Sequence, residues 1–350
     1  MTKNSKNNRF MKKDVAWQFV AKWLSSTMLI ANKIKRLFLM PYYSYLNKQT
    51  DYLNWKQLLK LRFVRTNPFI LPENYGYGHI SAVRNLGGKI YGSRIEHGVP
   101  TSDNFAEFDH LLYTKWKRFR FQLKRIYTFS EVRANTLRKH LQEKNIKTEV
   151  IPLGPYILGA DYFYSEQKRM ELKKKYGRIL LAFPQHSIAE LRIAFETNEF
   201  INHIKRIAVD FDSVFVSLHP YDLSHGGNVP YEKAGFIIVC SGLSSNPLFI
   251  SRQKDLIALA DTVITNSIGT HLGYSIAMGI PCYLVEQKFN IKIVENFSDN
   301  RKKMLTEHLK LINEENRFTL FYELFNKYPP KINKEQIELV QKYWGKFESR

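Results

Sequence analysis

The chain has 350 residues, enough for two domains of ordinary size or one large α/β domain. A content of 44% hydrophobic and 24% charged residues excludes wholesale disorder, and two cysteines, Cys240 and Cys282, exclude a disulfide framework and point to a reducing compartment. The net charge of +21 predicts polyanionic partners, either nucleic acid or an acidic membrane face, and an aromatic content of 14% favours the membrane.

The opening segment to Lys13 is polar and basic and is expected to fray. From Asp14 to about Leu39 the pattern is helical: Trp17, Ala21, Leu24 and Met28 form one stripe, with Asp14 placed as the cap. The stripe is imperfect, because Lys35 falls on it and Trp23 off it. Packing on the protein body is the commoner use of such a stripe, and lying on anionic lipid is the other. Lys22, Lys33, Lys35 and Arg36 break the apolar stretch, so it neither spans a bilayer nor resembles a secretory signal. The expected location is cytoplasmic, peripheral at the inner face of the cell membrane. A second helix is expected over Asn54–Arg65, and residues 1–65 together form a basic helical extension.

Residues 66–165 change to short apolar runs. GGKIYGSRIEHGVP predicts a strand, a turn and a loop at Glu96-His97-Gly98. A basic run follows from Lys115 to Arg125. Most such runs are solvated faces; here it would also attract an anionic leaflet, at about 1 kcal/mol per basic residue. Nucleic acid is disfavoured as the partner, because no recognisable binding module accompanies the charge. A strand at Ile126–Phe129, a helix at Glu131–Lys144 and a strand at Thr148–Leu153 give β-α-β alternation.

Tyr162–Gly177 is charged, carries no strand signal and marks a boundary. In residues 176–300 strands are predicted at Arg178–Phe183, Val214–Leu218, Phe236–Cys240, Thr262–Thr265 and Pro281–Val285. Helices are predicted at Ile188–Asp210, Pro247–Ala260 and Ile268–Met278. Continuous apolar strands joined by helices indicate a parallel sheet buried on both faces. Residues 301–350 are expected to be helical.

Ligands of open α/β sheets bind outside the carboxyl ends of the strands. In the second unit those ends carry His186 and Ser187, His219 and Pro220, Ser241 and Gly242, and then Asn266, Ser267, Gly269, Thr270 and His271. Ser187 is placed to cap the next helix. In TNSIGTHLGYSIAMGIP a strand runs through a Ser-x-Gly-Thr turn into a helix. Free N–H groups at a helix start, with hydroxyls beside them and a glycine permitting close backbone approach, suit phosphate. An ordinary N-cap is the competing reading of the same turn. Glu96 and His97 are the candidate acid–base pair of the first unit; alternatively Glu96 pairs with a cation such as Arg94 or Lys89. Asp212, Asp261 and both cysteines read as structural.

TNSIGTHLGYSIAMGIPCYLV resembles the donor-domain signature of GT-B glycosyltransferases, especially bacterial enzymes building capsule or lipopolysaccharide. SLHPYD is similar to the His-Pro motif of families using CMP-sugars or CDP-glycerol. FPQHS is similar to the first donor-domain loop, and IYGSRIEHGVP to an acceptor-domain segment, so the likeness runs from about residue 80 to 290. The resemblance implies an α/β fold with two Rossmann-like domains facing across a cleft, an N-terminal helical extension and C-terminal helices. It implies transfer of a sugar from a nucleotide-activated donor to a surface-polysaccharide or lipid-linked acceptor. His97 would be the base, with Glu96 orienting it or replacing it, and no cofactor beyond the nucleotide-sugar would be needed. The one Asp-x-Asp, Asp210-Phe211-Asp212, directly precedes a strand and reads as structural, so no metal site is expected. A glutamate four residues after the phosphate turn, common in sugar-nucleotide enzymes, is missing, which leaves the donor open. The alternatives are a sugar-nucleotide epimerase of the same fold and a non-catalytic basic module binding nucleic acid or membrane.

Overall fold

The computed structural model describes residues 45–61, 77–90, 92–96, 98, 124–187, 191–294, 302, 306 and 317–348. The Asp14–Leu39 stripe, His97 and all of the basic run except Lys124 and Arg125 lie outside the described residues.

The strands are β1 (Ser93–Ile95), β2 (Arg125–Thr128), β3 (Glu149–Pro152), β4 (Ile179–Phe183), β5 (Leu191–Ala194), β6 (Ser213–Ser217), β7 (Ile237–Val239), β8 (Thr262–Thr265), β9 (Cys282–Leu284) and β10 (Asn290–Ile293). The helices used below are α1 (Trp55–Lys60), α2 (Glu131–Glu143), α3 (Tyr156–Gly159), α4 (Glu166–Tyr176), α5 (Thr197–Ala208), α6 (Pro220–Ser224), α7 (Phe249–Leu259), α8 (Thr270–Ala277), α9 (Arg317–Phe325) and α10 (Lys334–Trp344).

β1, β2 and β3 form a parallel sheet in chain order. The second sheet is also parallel, in the order β7-β6-β4-β8-β9. Its first strand is therefore central, and the order reverses between β4 and β8. This is the doubly wound arrangement, whose ligand crevice opens at the reversal. Every residue of β4 and β8 is buried, as continuous apolar runs between helices require. Ser130 and Ser165 cap α2 and α4 through their hydroxyls, and Asn333 and Gln336 cap α10 reciprocally.

The expected helix over Ile188–Asp210 is partly strand. Leu191–Ala194 pairs antiparallel with Asn290–Ile293, and only Thr197–Ala208 is helical. Leu191 and Ile193 are half-buried while Arg192 and Ala194 are exposed, the period of a strand with one covered face. Among the described residues Ser187 caps no helix. Its hydroxyl instead meets the N–H and C=O of Ile193, tying the loop after β4 to the start of the ribbon.

One buried cluster joins the two parallel sheets: Tyr127, Phe129 and Tyr156 belong to the same core as Leu181, Val263, Tyr274 and Trp344. Residues 45–61 pack on the five-stranded sheet, with Leu58 and Leu61 beside Val216 and Ile238. Its Tyr52 carbonyl accepts the N–H of Cys240 at 2.9 Å, and the buried Arg252 donates to the Thr50 and Asn47 carbonyls. At the other terminus α10 packs against both α8 and α2. Asp212 and Asp261 accept the N–H of Arg178 and Ile179 at 2.7 Å, and Cys240 and Cys282 are buried, which are the structural roles expected of them. Among the described residues no helix is long and apolar enough to cross a membrane.

Candidate functional site

The loops after β4, β6 and β8 meet at the reversal point. Asn266, in the loop after β8, is fully buried and ties the loops after β4 and β9 to its own: its carbonyl accepts the N–H of Gln185 at 2.7 Å, and its amide donates to Gln287 at 2.7 Å. That double contact sets the spacing of the crevice walls. Thr265 lies within 2.8 Å of the Phe183 carbonyl and 2.8 Å of His271 Nε2, and it accepts the N–H of Ser267 at 3.1 Å.

The three histidines come together here. His186 and His219 are stacked, with centroids 4.5 Å apart and planes 11° from parallel. His271 stacks on Phe183 at 4.8 Å. Burial and the nearby His186 push the His271 imidazole down to about 3. Its neutral ring therefore contributes stability that is complete above about pH 6.5 and is lost as pH falls toward about 3. His219 caps α6, its Nδ1 accepting the N–H of Tyr221 at 3.1 Å, while Pro220 begins that helix. Beneath the pair, Asp222 accepts the N–H of Ser187 at 3.4 Å, and burial pushes its carboxyl up. Asp222 had no distinguishing sequence signal beyond its place two residues after His-Pro.

Gly269 differs in role from its expectation as a gap for ligand. A Cβ there would sit 2.6 Å from His271 Cε1, so the missing side chain makes room for this imidazole. Its φ of −129° suits any residue, and the constraint is one of space alone. Gly269→Ala should lower stability by about 1–3 kcal/mol, the usual range for overpacking, as measured by urea unfolding. A variant as stable as the parent would show that the ring moves aside freely. Thr270 opens α8 half-buried, beside the buried Ser267.

Ser241 and Gly242 follow β7, at the sheet edge rather than beside the reversal. Gly242 takes φ +90°, a left-handed value that favours glycine, and its neighbours are Asn246 and Arg252. The Ser241 hydroxyl is buried without a hydrogen-bond partner among the described residues.

On the three-stranded sheet, Glu96 is buried at the end of β1. One carboxylate oxygen receives Arg133 Nε at 2.9 Å and Nη2 at 2.6 Å, and the other receives the Thr128 hydroxyl at 2.5 Å. The cation is thus Arg133, rather than Arg94 or Lys89, and both oxygens of Glu96 are engaged. Gly98, two residues on, takes φ +81° and turns the chain away from the strand. Phe129 stacks on Tyr156 at 4.3 Å and lies 6.3 Å from Tyr274 of α8, so this sheet's carboxyl ends adjoin the helix that starts at Thr270. Comparison with protein-family models and with curated proteins finds no match to this sequence.

Proposed function

We propose that this chain is a GT-B-type glycosyltransferase, moving a sugar from a nucleotide-activated donor to a surface-polysaccharide or lipid-linked acceptor. The observation that carries the reading is the convergence of His186, His219, Ser267, Thr270 and the start of α8 at the reversal point of a doubly wound sheet. The two-domain arrangement is part of the proposal; the three-stranded parallel sheet, with its carboxyl ends toward α8, supports it.

In this reading the donor's phosphate lies at the first turn of α8. There N–H groups, hydroxyls and imidazole rings offset the charge that develops as the sugar–oxygen bond breaks. His97 takes the proton of the acceptor hydroxyl. Glu96, committed to Arg133 and Thr128, shapes the strand end from which His97 follows. The +21 charge suits a protein held at an anionic membrane face, where lipid-linked acceptors reside.

The test is a thermal-shift screen with CMP, CDP, UDP, GDP and their sugars. A ligand at 100 times its Kd should add about 2.7 kcal/mol of stability. Nucleotide binding that Thr270→Val or His219→Ala weakens, in a folded variant, supports the site. No shift with any nucleotide at millimolar concentration would sink the reading.

A further inference from the structure

We infer that residues 160–165 form a proton-operated strap: it is clamped on α7 while the Asp255 carboxyl is neutral, and it loosens when that carboxyl is charged. The inference is independent of the donor reading, since none of its residues belongs to the candidate site.

The strap carries the chain from α3, after the three-stranded sheet, to α4, before the five-stranded one. Two successive residues of α7 grip it. Lys254 Nζ donates to the Ala160 carbonyl at 2.5 Å and to the Leu158 carbonyl at 3.3 Å. Asp255 Oδ2 accepts the N–H of Tyr164 at 2.8 Å. The strap is tied in turn to the N-terminal segment, where the Tyr164 hydroxyl donates to Asp51 Oδ2 at 2.5 Å. It lies shallow: Asp161, Tyr162 and Ser165 are exposed, and Phe163 and Tyr164 are half-buried. A segment with so little buried apolar surface can open without the core opening.

The Asp255 carboxyl beneath it is wholly buried, and its Oδ1 has no hydrogen-bond partner among the described residues. Arg169 Nη1 stands 4.0 Å from that oxygen, beyond hydrogen-bond reach, and donates instead to the Tyr164 carbonyl at 2.7 Å. A buried carboxylate with one bare oxygen is unfavourable, and a proton removes the penalty. Burial accordingly pushes the Asp255 carboxyl up to about 6, against the pull of the Tyr164 N–H, Arg169, the Phe163 N–H and Lys254. Two phenols also face it: Tyr164 itself, and Tyr52 of the N-terminal segment, whose ring meets that of Tyr164 edge-on at 5.7 Å. The remaining charged and titratable groups around α7 are engaged elsewhere. Lys173 of α4 binds Asp261 and the Leu259 carbonyl, Arg252 holds Thr50 and Asn47, and His79 lies against Phe249 at the start of the helix.

Opening the strap exposes Asp255 to water, where its carboxyl returns toward the ordinary value of 3.8. The closed strap therefore holds the proton more tightly than the opened one. Closure gains as pH falls below about 6, and that gain is lost as pH rises through the same value. Release would also part Tyr164 from Asp51, so the strap and the N-terminal segment loosen together.

Two measurements on the full chain test this. The first is urea unfolding of the parent and of Asp255→Asn between pH 5 and 7.5, because the amide keeps the shape of the carboxyl and takes no charge. The parent's folding constant relative to the variant's should rise about tenfold from pH 7.5 to pH 5, a ratio in which titrations shared by both proteins cancel. A ratio that stays flat overturns the inference. The second is hydrogen exchange of the parent, read on peptides covering 160–165 and on β4, and corrected for the intrinsic pH dependence of exchange. The strap should open more often than β4 at both pH values, and about tenfold more often at pH 7.5 than at pH 5. Opening that ignores pH, or that is no more frequent than in β4, overturns the inference. Should Asp255→Asn fail to fold, the exchange measurement decides alone. Nucleotide binding, or its absence, bears on neither result.

Discussion

Glu96→Ala should destabilise the protein by about 3–5 kcal/mol, the usual cost of removing one partner from a buried ion pair. Both residues are nearly inaccessible, with side-chain exposures of 9% for Glu96 and 6% for Arg133. Arg133 Nη1 already lacks a hydrogen-bond partner among the described residues, so losing the carboxylate strands a guanidinium in the interior. The double variant Glu96→Leu/Arg133→Met should recover most of that loss, because two apolar side chains need no partners. Urea unfolding of the two single variants and the double variant closes the cycle. The experiment also separates two roles for Glu96. A Glu96→Gln protein with normal stability and abolished turnover would make the carboxylate the reacting base, against the geometry that gives both its oxygens to Arg133 and Thr128.

Trp344→Ala should cost a further about 3–5 kcal/mol in its own right, the range for truncating a buried aromatic residue. The indole is wholly buried and lies over Gly273, at a separation that leaves no room for a Cβ on that glycine. It packs 5.9 Å from Phe321 of α9, so α8, α9 and α10 meet at this one ring. One residue on, Gly345 takes φ +86° with its open side against the Phe129 carbonyl, and α10 thereby reaches the three-stranded sheet. Because α8 begins at the proposed donor site, loss of the indole should weaken nucleotide binding as well as stability. A denaturation midpoint unchanged in Trp344→Ala would mean that the terminal helix is peripheral to the core.

The strands of the five-stranded sheet were legible because each is an apolar run bounded by polar or turn residues. Thr262–Thr265, between Asp261 and Asn266, is the clearest case, and its bounds agree with the structure. Parallel strands covered on both faces advertise themselves in composition alone. The ribbon β5–β10 was not legible. Leu191–Ala194 has four residues, and its strand character depends on Asn290–Ile293, which pairs with it from beyond four later strands, β6 to β9, in the chain. A window of sequence around Leu191 contains nothing of that partner, and the neighbouring helical stripe of α5 absorbs it.

The same distinction runs through the candidate site. Local order told which residues stand at strand ends: His186, His219, Ser267 and His271 are placed by the strands immediately before them. Composition likewise marked Asp212, Asp261 and the two cysteines as structural, since their setting is set by adjacent strands. What each polar group does there depends on its partner, and the partners come from elsewhere in the chain. Glu96 meets Arg133 at 37 positions' remove, Asn266 meets Gln185 at 81, and Gly269 yields its space to a ring two residues on that turns back over it. Side chains of one type are interchangeable in a sequence pattern, but hydrogen bonds form only at about 3 Å. Only the packed sheets and helices bring donor and acceptor within that distance.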